Sequence, residues 1–105
     1  IGYYSYMDYR TLIATNQVLN ASDLSYNEML VLGYVAEHPD AVIGLVAREV
    51  GLLPAGISRT VNTLEDKGMI ERRLCPVDRR HLRLNLTKIG IQYATEILKQ
   101  LEAIT

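Results

Sequence analysis

Apolar residues recur at helical spacing over residues 3–20, where Tyr6, Tyr9, Leu12, Ile13, Val18 and Leu19 predict a first helix. The polar run Asn20-Ala21-Ser22-Asp23 breaks it. Ser25-Tyr26-Asn27-Glu28 has the form of a capping box, in which the Ser25 hydroxyl accepts from the Glu28 amide and the Glu28 carboxylate returns to the Ser25 amide. Leu24 and Met29 flank it as a hydrophobic staple. The second helix then runs to about His38, with Met29, Leu32, Val35 and Ala36 inward, and Pro39 stops it. Residues 44–50 predict a short third helix carrying Leu45, Val46 and Ala47, ended by Gly51. Pro54 opens a fourth helix to about Lys67, with Ile57, Val61 and Leu64 on one face and Ser58, Arg59, Asn62, Thr63 and Asp66 outward.

After Gly68 the period changes. Residues 70–74 read as a strand, and Leu82-Arg83-Leu84-Asn85-Leu86 alternates strictly, leucines inward and Arg83 and Asn85 outward. Residues 75–81 join the two strands as a turn bearing Asp78-Arg79-Arg80. Thr87 suits the cap of a last helix that carries Ile91, Ala94, Ile97, Leu98 and Leu101. The expected fold is mainly α with a small β-hairpin: a winged helix-turn-helix flanked by N- and C-terminal dimerisation helices. All 105 residues form one domain, with residues 25–87 as a DNA-binding lobe and residues 1–22 and 88–105 as dimerisation segments.

Charge changes the picture more than composition does. The formal net charge is −1, but residues 41–88 hold nine basic against five acidic side chains, and the rest of the chain holds two against seven. A basic middle between acidic flanks fits a middle that faces phosphates. Cys75 is the one cysteine, which excludes an intrachain disulfide and agrees with a reducing cytoplasm. No apolar run approaches the roughly 20 residues of a membrane span. Cys75, Asp78 and His81 match no standard metal spacing, and neither a nucleophile motif nor a phosphate loop occurs, so neither cofactor nor enzymatic activity is expected.

Two features carry chemistry. The outward face of the fourth helix offers Ser58, Arg59, Asn62 and Thr63 to base edges; Arg pairs with guanine and Asn with adenine in the major groove. The hairpin tip offers Arg79 and Arg80 to a minor groove, with Asp78 to orient an arginine, while Arg72, Arg73, Arg83 and Lys88 are candidates for phosphates or exposed ion pairs.

The runs Gly68-Met69-Ile70-Glu71-Arg72-Arg73, Asp78-Arg79-Arg80 and Leu86-Thr87-Lys88-Ile89-Gly90 resemble the MarR family of regulators, and the resemblance covers residues 10–100. It implies a homodimeric regulator, commonly a repressor, that binds double-stranded, pseudo-palindromic DNA and in many members is released by a small phenolic or lipophilic effector. It also implies that Arg80 inserts into the minor groove and Arg79 binds phosphate. Effectors in the family bind between the dimer helices and the DNA-binding lobe, which makes Tyr6, Tyr9, Tyr26 and Tyr34 the candidate effector pocket in a chain with seven tyrosines and no other aromatic of the Phe or Trp type; packing is the competing role for them.

The chain departs from the family pattern at three points. The family usually adds a further C-terminal helix, so either dimerisation here would rest on the first and last helices or the chain is a shortened version. Gly56 stands where a hydroxyl residue is usual, at a cost of about 1 kcal/mol in helix propensity. Thr63 stands where a basic residue is common. A winged helix also serves in places as a protein-binding module, and the two-arginine tip on a basic segment is what separates the DNA reading from that alternative.

Overall fold

The computed structural model describes residues 9–78 and 81–104. Five helices and three strands follow in the order α1 (Tyr9–Ala21), α2 (Tyr26–Glu37), β1 (Ala41–Val42), α3 (Ile43–Val50), α4 (Pro54–Asp66), β2 (Ile70–Leu74), β3 (Leu82–Leu86) and α5 (Lys88–Glu102). The part of the expected first helix before Tyr9 lies outside the described residues.

The helix ends follow local chemistry. The Ser25 hydroxyl accepts from the Glu28 amide at 3.1 Å, as a cap should. The Glu28 carboxylate, however, turns to Lys67 Nζ at 2.8 Å rather than back to Ser25, because a nearly buried carboxylate is better served by a cation. Gly51 and Gly68 take left-handed backbone at φ 81 and 74, which ends α3 and turns the chain from α4 into β2.

Helix α2 is the hub, since it packs against α3, α4, α5 and β3. That position buries it over a wider arc than its sequence suggests: Val31 is fully buried, while Ala36, expected inward, is exposed. Leu45 on α3 also faces outward, while Val46 and Ala47 are buried in the core and Ile43 and Val50 pack against it. Leu32, Leu64 and Leu84 come from α2, α4 and β3 and are fully buried together in the core cluster. Each contributes about 1.5–3 kcal/mol.

The hairpin is part of a larger sheet. Strand β3 lies between β2 and β1 in an antiparallel sheet of order β1-β3-β2, with Ala41 opposite Leu84 and Val42 opposite Arg83. The expected two-stranded ribbon is therefore corrected to three strands. Asp40, at φ 66, makes the turn into β1. Its amide donates to Asn85 Oδ1 at 2.8 Å, and its carbonyl accepts from Arg83 Nη1 at 3.0 Å. This docks the start of α3 onto the central strand and sets α3 and α4 beside the hairpin.

Candidate nucleic-acid interface

Helix α4 presents two chemically distinct faces. Ile57, Thr60, Val61 and Leu64 point into the core. Ser58, Arg59 and Asn62 are exposed on the opposite side. Thr63 is half-buried, and its hydroxyl donates to the Arg59 carbonyl at 3.1 Å. That back-bond leaves the Thr63 oxygen free to accept but engages its proton. Arg59 and Thr63 line a polar recess with Ser25 and Asn27, so the N-terminus of α2 and the middle of α4 share one surface.

Strands β2 and β3 pair from Ile70 opposite Leu86 to Leu74 opposite Leu82. The turn closes with the Cys75 amide donating to the His81 carbonyl at 2.9 Å and the His81 amide to the Asp78 carbonyl at 3.1 Å. The Asp78 carboxylate lies 3.3 Å from His81 Nε2. Arg79 and Arg80 lie outside the described residues.

The four arginines on the wing strands and helix α4 differ in what they touch. Arg73 is mostly exposed and pairs with Glu71 at 3.1 Å, a surface contact worth little that leaves it available to a phosphate. Arg72 instead reaches back to α4: its Nη2 donates to Asn62 Oδ1 at 2.9 Å and lies 2.6 Å from Glu65 Oε1. Arg83 is engaged at the other edge of the wing, donating to the Asp40 carbonyl and lying 3.9 Å from its carboxylate. Both were expected among phosphate contacts or ion pairs, and both are held within the fold. Arg59 remains exposed on α4.

Arg83 also faces the buried Cys75. The thiol pKa is lowered from its ordinary value, first by the Asp78 backbone amide, then by the Arg83 guanidinium and the Val77 amide, which together outweigh the effect of burial. Cys75 in turn raises the Arg83 pKa further. The sequence marks Cys75 only as a lone, structural or incidental thiol; the polarising amides come from the turn geometry and carry no sequence signal.

The junction after the wing is closely packed. The Thr87 hydroxyl accepts from the Gly90 amide at 3.0 Å and donates to the Gly68 carbonyl at 2.6 Å, while the Thr87 amide donates to the Met69 carbonyl at 3.0 Å. A side chain on Gly90 would place Cβ 1.9 Å from the Met69 oxygen. The Leu-Thr-x-x-Gly run is thus a steric requirement for seating α5 on the start of β2.

Residues 22–81 match the sequence profile of the MarR family. The chain belongs to the MarR family. Solved structures of similar fold include the S. aureus MepR–DNA complex, at TM-score 0.78 and 19% identity over 91% of this chain and 79% of that one. NadR in complex with 4-hydroxyphenylacetate superposes at TM-score 0.85 and 19% identity, over 90% of this chain and 67% of that one. The transcriptional repressor CouR, bound to a 23-mer DNA duplex, superposes at 0.83 and 22% identity, over 90% and 66%. The winged-helix architecture is common to all three.

In this MarR-family chain the three described candidate effector tyrosines, Tyr9, Tyr26 and Tyr34, have separate surroundings. Tyr26 lines a small pocket of about 100 Å³ with Leu19, Met29, Leu30 and Leu101, between α1, α2 and α5. Tyr34 stacks on His38 with ring centroids 4.1 Å apart and packs against the core. Tyr9 is exposed on α1, with the Arg10 guanidinium 5.4 Å from its ring centre. Tyr6 lies outside the described residues. A larger apolar recess of about 330 Å³, between α2, β3 and α5, has Pro39, Leu86, Ile91 and Leu98 among its walls. It was not foreseen, since its walls come from three distant segments. Tyr93 was not singled out either; its hydroxyl donates to the Ser22 carbonyl and ties α5 to the end of α1.

Proposed function

We propose that this MarR-family chain is a non-enzymatic, cytoplasmic, sequence-specific regulator of transcription that binds double-stranded DNA as a homodimer on a pseudo-palindromic operator. The observation that carries this reading is the exposed Ser58-Arg59-Asn62 face of α4, set beside a hairpin whose tip sequence holds Arg79 and Arg80. A helix with such a face enters a major groove and reads bases, while the wing reaches the flanking minor groove. The DNA-bound fold relatives support the same docking.

The dimer reading is supported by apolar side chains exposed on α1 and α5. Leu12 and Ile13 on α1 and Ile89, Ile91 and Leu98 on α5 are all exposed. Apolar surface of this extent marks an association face, and a second copy covering it would hold two recognition helices about one helical turn apart. Repression is proposed from the family's usual role. Release by a small phenolic or lipophilic effector is supported by the NadR complex and by the Tyr26 pocket, which opens where α1 and α5 meet the DNA-binding lobe.

Selection of bound duplexes from a random pool tests this. Enrichment of an inverted repeat with half-sites one turn apart is the expected result. Arg80→Ala is expected to weaken binding to every duplex and to lower the salt slope by about one. A wild-type protein that enriches no sequence overturns the reading and favours a protein-interaction role for the wing.

A further inference from the structure

We propose that Arg72 is a positioning residue for DNA reading: from the first wing strand it holds the Asn62 amide on the recognition helix so that Asn62 reads base acceptors, favouring guanine over cytosine and adenine. The inference rests on the proposal that α4 reads DNA.

An exposed asparagine presents either its oxygen or its nitrogen, because its amide turns over easily. The choice matters: the oxygen accepts from adenine N6 or cytosine N4, whereas the nitrogen donates to acceptors, of which guanine alone offers two, N7 and O6, against adenine N7 or thymine O4. Here the choice is made by a neighbour. A guanidinium only donates, so the Asn62 atom facing Arg72 Nη2 at 2.9 Å must be Oδ1. Arg72 is itself fixed, because the same Nη2 lies 2.6 Å from Glu65 Oε1, one turn along α4 from Asn62. The two hydrogens of that nitrogen are thereby both directed at α4. Nδ2, with its two N–H groups, is left as the outer end of Asn62. The two-point contact of asparagine with adenine needs Oδ1 as well, and Oδ1 is engaged.

This assignment differs from the ordinary one for a wing-strand arginine. A phosphate contact would add affinity for any duplex. A positioning residue alters the preference at one base pair and leaves the phosphate interactions alone.

The test uses the full chain and the operator duplex obtained by selection, with each base pair replaced in turn. Wild type, Asn62→Ala, Arg72→Ala and the double variant are compared at several salt concentrations, with thermal melts to confirm folding. The expected result is a guanine preference of about five- to hundredfold at one pair per half-site in wild type. That preference is lost in Asn62→Ala, lost to the same degree in Arg72→Ala, and not reduced further in the double variant. The salt slope of Arg72→Ala stays at the wild-type value. Arg72→Met, which keeps the apolar stem but cannot donate, serves if the alanine variant melts early, and it too is expected to relax the preference without changing the slope.

A uniform loss of affinity in Arg72→Ala, with a salt slope lower by about one, overturns the positioning role and makes Arg72 a phosphate contact. So does a preference that survives Arg72→Ala but not Asn62→Ala. No sequence preference in wild type instead overturns the DNA-reading proposal itself, and with it this inference.

Discussion

Alanine at Gly90 and alanine at Gly56 are the same substitution at the same place in two helices, the third residue after the cap, yet they should act with opposite sign. On Gly90 a Cβ would lie 1.9 Å from the Met69 oxygen and 2.9 Å from its carbonyl carbon. Both atoms are backbone, so no side chain can swing aside. Restoring an ordinary contact of 3.4 Å moves the start of α5 by about 1.5 Å. A shift of that size breaks the Thr87 amide bond to the Met69 carbonyl and strains the Thr87 hydroxyl bond to Gly68. Each bond is worth about 0.5–1.5 kcal/mol, and a forced rearrangement in a packed region costs about 1–3 kcal/mol. Better helix propensity returns about 1 kcal/mol. The expected loss is therefore about 2–4 kcal/mol, or roughly 10–25 °C in Tm for a domain of this size. A Cβ on Gly56 meets only the Leu52 side chain, at 3.9 Å. Gly56→Ala should therefore stabilise by about 0.5–1 kcal/mol. Urea unfolding followed by circular dichroism, at one protein concentration throughout, compares the three proteins. If Gly90→Ala is as stable as wild type, the close approach of α5 to Met69 is refuted.

Two further outcomes follow from the polar contacts. The lowered Cys75 pKa means that the folded state favours the thiolate, so stability relative to Cys75→Ser should rise with pH toward the ordinary value of 9.0 and be lost as pH falls through the folded value. Iodoacetamide labelling across pH should reach its half-maximal rate below 9.0 and move upward in Arg83→Met; a midpoint at or above 9.0 in wild type contradicts the arrangement. Lys67→Met should destabilise by about 2–4 kcal/mol in a chemical melt, because it leaves the nearly buried Glu28 carboxylate without its cation. Adding Glu28→Leu should recover much of that loss, and additive losses would show that the pair is not coupled.

Much of the fold is legible where a feature is local. The Ser25 and Thr87 caps, the Pro54 start, and the left-handed Gly51 and Gly68 each act within a few residues, so helices α2 to α5 and strands β2 and β3 stand close to their expected bounds. Strand β1 is two residues long and exists only because Leu84 and Arg83, some forty positions away, complete its bonds. Nothing in Ala41-Val42 itself announces it. Ala36, expected inward, is exposed, and Val31, outside the expected inward set, is buried, because α2 is surrounded rather than resting on one surface. The same limit governs the site. The outward face of α4 follows from helical period alone, so Ser58, Arg59 and Asn62 stand out. The Arg72 and Arg83 side chains look alike in sequence, and only the partners brought to them by folding show that one grips α4 and the other the Asp40 turn.

Those two grips have a thermodynamic consequence. The wing strands are fastened on one side to α4 through Glu65 and Asn62, and on the other to the α2–α3 corner through Asp40. A frame braced at both edges has little freedom left to lose when it docks. Association should then show a heat-capacity change set by the surface covered, without the excess that accompanies folding on binding. On the proposed function, discrimination between sequences would come from a geometry already in place before any duplex arrives.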